Sequence, residues 1–80
     1  MGLLIDIKKI EENEEKAVYS FSTFPNGNSG KVAIHKKTGE CFVIDEPEYD
    51  KESKLAVRVG IVLVEHWRKG EFPDVTCWAS

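Results

Sequence analysis

Two cysteines and two histidines, Cys41, Cys77, His35 and His66, are the side chains whose chemistry could exceed packing. A zinc site needs four such ligands, usually with close pairs among them such as CxxC or HxxxH, and no such pair occurs in this chain. A cysteine nucleophile needs a thiol whose pKa is lowered by its surroundings. Nothing in the sequence around either cysteine does that, and an isolated cysteine ordinarily packs as a small apolar residue. The acids of 11–15 and 45–50 fall in turn-like stretches, where carboxylates solubilise; acid–base chemistry would also need a pocket. The glycine-bearing loop from Phe24 to Gly30 has neither the GxGxxG nor the GxxxxGK[ST] phosphate pattern, and it does not lead into a helix. No catalytic, metal or cofactor site is expected, and the chain reads as non-enzymatic. A second reading is a small-ligand or single-stranded nucleic-acid binder that uses Tyr19 and Phe21, flanked by Lys16 and Lys31, together with the Phe24–Gly30 loop.

The stretch that must organise any site is Asp50–Gly70, DKESKLAVRVGIVLVEHWRKG. Its middle, Val57 to Val64, is rich in β-branched residues, which by itself favours a strand. The charges favour a helix instead. At about 100° per residue, Lys51, Lys54, Arg58, Glu65, Arg68 and Lys69 fall on one arc, with only Ile61 intruding. Asp50 or Ser53 can cap the first turn, Gly70 can end the last, and Pro73 follows as a stop. The remaining apolar arc is about twice the ~100° stripe a helix needs to lie on one sheet. Gly60 lies within it, where another backbone could approach closely. His66 lies on the apolar side near the helix end, as a packed or rim residue.

The segments before this helix alternate as strands do. Residues 3–11 place Leu3, Ile5 and Ile7 on one side, and residues 16–23 place Tyr19, Phe21 and Thr23 on one face. Glu11 to Glu15 reads as a turn. Residues 31–36 direct Val32 and Ile34 inward and His35 to the surface; Lys37-Thr38-Gly39 is a tight turn, and residues 40–45 follow as a fourth strand. After Gly70, the tail carries Phe72, Val75 and Trp78, each costing roughly 1.5–3 kcal/mol to leave in water, so it should fold back, as an edge strand or a covering loop. The expected fold is α+β: an antiparallel β-meander of three to four strands packed against one C-terminal helix.

Eighty residues make a single domain, 1–80, with a thin stability margin. Residues 1–50 hold ten acids against six bases, a net of −4, and residues 51–80 hold four against five, a net of +1. That balance gives little support to phosphate-backbone binding. No apolar run approaches the ~20 residues of a membrane span, and the N-terminus lacks a secretory core. With two unpaired thiols, the expectation is a cytoplasmic protein.

The hairpin Gly30–Asp45, GKVAIHKKTGECFVID, resembles one found in small bacterial toxin-immunity proteins and related uncharacterised α+β domains. The likeness rests mainly on Lys37-Thr38-Gly39-Glu40. It implies a bacterial, non-enzymatic, partner-binding protein and carries over no functional residue. The wide apolar arc leads to the same class: a protein-interaction module, acting as a homodimer or on another protein. The helix arc around Gly60 (Val59, Gly60, Leu63, Val64 and Trp67) is the candidate interface, with an exposed sheet edge as the other means of contact.

Overall fold

The computed structural model describes residues 4–24, 29–45 and 54–79, of Phe24 the backbone only. Four strands run in chain order as a meander: β1 Leu4–Glu12, β2 Lys16–Phe24, β3 Ser29–His35 and β4 Cys41–Asp45. The helix α1, Lys54–Arg68, follows, and β5, Val75–Ala79, closes the chain. The sheet is antiparallel throughout, in the order β4-β3-β2-β1-β5. The tail is therefore an edge strand, laid beside β1 with Leu4 opposite Ala79 and Lys8 opposite Val75.

One face of this sheet meets α1. Ile5, Ile7, Ala17, Tyr19, Phe21, Val32 and Ile34 form a single buried cluster with Ala56, Val59, Val62 and Leu63 of the helix. The strand pattern places these residues because side chains alternate across the sheet while helical neighbours recur at three and four. The opposite face is polar along Asp6, Lys8, Ser20 and Ser22, but it carries one apolar row. Val18 pairs with Ala33, which pairs with Phe42. Val18 and Ala33 are buried without belonging to the helix-side cluster.

Two register shifts bend the sheet, between Lys9 and Glu11 in β1 and opposite Lys31–Val32 in β4. The first turns the acidic stretch from a free turn into the end of β1, where Glu12 bonds Lys9 at 2.6 Å and Lys36 at 2.7 Å. Ser29 and Gly30 belong to β3 rather than to the preceding loop. Gly30 is required there: a Cβ would lie 2.5 Å from the Asp45 carbonyl oxygen and 2.7 Å from the Phe21 ring. The expected caps Asp50 and Ser53, the charge of Lys51 and the loop residues 25–28 lie outside the described residues.

The helix ends as its sequence predicts. Gly70 has φ of 73°, Gly70 N–H donates to Trp67 C=O at 2.9 Å, and Glu71 N–H donates to His66 C=O at 2.9 Å. This pair of bonds satisfies carbonyls that the last turn leaves open.

Candidate functional site

Two sides of α1 meet very different surroundings. Toward β5, its side chains are tied down. The Arg58 guanidinium stacks over the Trp78 ring at 4.9 Å, and His66 bridges Thr76 (Nε2 to Oγ1, 2.9 Å) and Glu71 (Nδ1 to Oε1, 3.2 Å). Arg58 is thus half-buried on an aromatic face, a cation–π contact, rather than on a solvated arc. At the helix C-terminus, Trp67 Nε1–H donates to the Lys36 carbonyl at 2.6 Å, and its ring fills the space a Gly39 Cβ would take.

Below this corner, a polar clasp holds the strap Glu71–Asp74. Lys9 Nζ donates to the Phe72 carbonyl at 2.9 Å and pairs with Glu12 and Asp74; Tyr19 O–H donates to the Pro73 carbonyl at 2.9 Å; Lys36 Nζ lies 5.0 Å from the Phe72 ring centre. The hydrogen bonds from Lys36 and then Lys9 bring the Glu12 carboxyl down to about 2. Those from Lys9 to Glu12 and Asp74 push the Lys9 amine up to about 12.

Toward β4, nothing comparable covers the helix among the described residues. A groove of about 480 Å³ runs between α1 and β4, floored by Cys41 and Val43 and walled by Val57, Gly60, Ile61 and Val64. Glu65 and Arg68 flank its lining. The apolar surface does not stop at the groove. Phe42, Val43, Ile44, Val57 and Ile61 are each between 43% and 58% exposed, so an apolar belt passes from the helix, across Val43 and around β4 to the far face of the sheet. Contiguous exposed apolar surface of this kind is characteristic of interaction sites, whereas single exposed apolar residues are commonplace. It sits on an edge strand with neither a charge nor a proline among Cys41–Ile44, where edges are usually blunted.

The helix-arc interface is partly corrected by this geometry. Val59 and Leu63 are 2% exposed or less and belong to the core, because the sheet takes up the centre of the apolar arc. Gly60 and Val64 line the groove, and Trp67 is held against Gly39. The surplus apolar surface is real but displaced toward β4, onto Val57 and Ile61. Gly60 meets the Cys41 side chain at an ordinary 3.8 Å, not another backbone. Tyr19 and Phe21 are 1% exposed, so their rings offer no platform on which a base could stack.

The two cysteines and the two histidines make no hydrogen bond to one another. Cys41 Sγ faces the Gly39 and Gly60 carbonyls at 3.9 Å, and burial pushes its thiol pKa upward, against nucleophilic use. His35 follows Ile34 on the face away from α1, where its Nδ1 is buried without a hydrogen-bond partner among the described residues. Both ring nitrogens of His66 are engaged, and Cys77, opposite Asp6, lies on the far side of β5 from Thr76 and Trp78. No cysteine–histidine pair forms. Among the described residues no helix is long and apolar enough to cross a membrane, and no cluster of three or more candidate metal ligands occurs. Comparison with protein-family models, curated proteins and solved structures found no match.

Proposed function

We propose that this chain is a non-enzymatic protein-interaction module that works through the apolar belt around β4. The observation that carries the reading is the coincidence of three features in one place: an edge strand left open among the described residues, apolar side chains on both of its faces, and an apolar helix wall beside it. An added strand would hydrogen-bond to the edge and bury side chains on both faces, the mode by which exposed sheet edges recruit extended segments. The raised Cys41 thiol and the separation of both cysteines from both histidines support the non-enzymatic part. The hairpin's likeness to those of toxin-immunity proteins fits the same class.

The test is site-specific photo-crosslinking in cells. A photoreactive phenylalanine analogue in place of Ile61 should give a discrete protein adduct, and Phe42→Lys in the same chain should abolish it. The same analogue at Glu14, on the distant β1–β2 turn, should give none. Indistinguishable smears from both positions would remove the reading.

A further inference from the structure

The groove between β4 and α1 has two unlike ends. Trp67 meets Gly39 and Gly60 meets Cys41, so α1 runs antiparallel to β4. From Val57 to Arg68 the helix advances about 16 Å at 1.5 Å per residue, the length of about five extended residues. The Val57 end is apolar. At the other end, Trp67 packs on Gly39 and holds the Lys36 carbonyl, which closes the helix onto the β3–β4 turn. Arg68 lines the groove at this closed end, exposed and without an ion-pair partner among the described residues. Lys37 in the turn and Lys69 beside Arg68 are exposed cations of the same kind. Glu65, about one turn back, is the acid on the lining.

The backbone of β4 adds a second constraint. In an antiparallel pair, residues alternate between those that bond the facing strand and those that do not. His35 N–H donates to Glu40 C=O at 2.8 Å, and the register places Ile34 opposite Cys41 and Ala33 opposite Phe42. Phe42 therefore bonds β3, whereas Cys41 and Val43, whose side chains enter the groove, turn their N–H and C=O groups outward.

Resting on the interaction reading above, we infer that the occupant is the free C-terminal tail of another protein: about five extended residues antiparallel to β4, apolar at alternate positions, with the terminal carboxylate on Arg68. Strand direction and charge agree on this orientation. β4 starts at the closed end with Cys41, so a segment running the opposite way stops there and delivers its carboxylate to the guanidinium, a charge-assisted pairing. The last residue exchanges both backbone bonds with Cys41, and the residue two before it does so with Val43. Their side chains share the face of Cys41 and Val43 and enter the groove, the last beside Gly60 and Val64, the other beside Val57 and Ile61. A second copy offers no such tail: its β4 continues into the chain at both ends, and its Val75–Ala79 is already paired with β1.

Two displayed heptapeptide libraries, one with free C-termini and one with free N-termini, test this by selection on the purified chain. The C-terminal library should enrich apolar residues at the last position and two before it. For an enriched tail made synthetically, converting the terminal carboxylate to an amide should weaken binding by about tenfold to a hundredfold. Arg68→Gln should cost as much against the acid and nothing further against the amide, while Glu65→Gln should not weaken binding. N-methylation of the residue paired with Val43 should abolish binding, and N-methylation of the next residue, whose N–H points away from β4, should be tolerated. Enrichment from neither library, enrichment from the N-terminal library alone, or an acid and an amide that bind alike would overturn the tail. A crosslinked adduct at position 61 with twice the mass of this chain would overturn it in favour of a second copy. With the tail overturned, any discrete adduct at that position leaves the interaction reading standing, and no adduct removes it too.

Discussion

The two edges of this sheet are strands of five residues each, and they are finished in opposite ways. At β5, the helix side is roofed: Trp78 lies under Arg58, Thr76 bonds His66, and the strap leading in is clasped by Lys9 and Tyr19. At β4, Phe42, Val43 and Ile44 are all exposed and α1 stops short, leaving a groove. One helix cannot cover five strands. Spacings of about 4.8 Å make the sheet roughly 19 Å wide, against helix-packing distances of 8–10 Å. Polar contacts decide which edge is covered. Arg58 and His66 reach tethers on β5, at Trp78 and Thr76, and draw α1 toward that edge, while Trp67 ties the end of the helix to the β3–β4 turn at Lys36 and Gly39. Within one small sheet, then, stability is concentrated on one side and available surface on the other.

That contrast can be broken by substitution. Trp78→Ala should cost about 2–3 kcal/mol in denaturant unfolding, somewhat below the range for a fully buried tryptophan. Val43→Lys at the opposite edge should stay within about 0.5 kcal/mol for the isolated protomer, as ordinary surface changes do. Equal costs at the two edges would erase the distinction.

Acid should loosen the roofed side selectively. The Glu12 carboxyl titrates near 2 in the folded chain, below the ordinary 4.5. Its contribution is therefore fully present above about pH 4.5 and is lost as pH falls toward 2. Lys9 acts at the other extreme, contributing below 10.5 and losing that contribution as pH rises through about 12. Glu12→Gln should flatten the acid limb of a stability–pH curve, and amides of the strap should lose exchange protection before those of β3 and β4. An unchanged acid limb would show the clasp to be idle.

The smallest effect sharpens the other side. Gly60 faces Cys41 across ordinary contact distance, so Gly60→Ala has room and should raise stability by about 0.5–1 kcal/mol through helix propensity. A loss instead would mean that the groove is tighter than its geometry.

The strands were legible because period-two alternation at Tyr19, Phe21 and Thr23, and at Val32 and Ile34, matches a sheet with one core face. The helix was legible from its charge sorting and from Gly70. The position of the interface was not. Arg58 looks like a solvated charge because only the fold brings Trp78 beneath it. Ile61 looks like an intruder on a charged arc, although it forms half of the exposed helix wall. Val59 and Leu63 sit at the centre of an arc whose centre goes to the sheet, leaving its margin for a partner. The Lys9–Glu12–Lys36 clasp joins residues 24 positions or more apart at its widest and leaves no local trace. The tail's choice of β1 over β4 is likewise a matter of tertiary tethers, not of its own sequence.

The pairing of Leu4 with Ala79 joins strands from opposite ends of the described chain. A ribosome delivering this sequence releases the meander first, with raw backbone along both margins, and can seal one of them only when Val75–Ala79 emerges. Contacts of such long sequence separation form slowly. Until then β1 presents the same row of unfilled backbone donors and acceptors to any extended segment that β5 later satisfies.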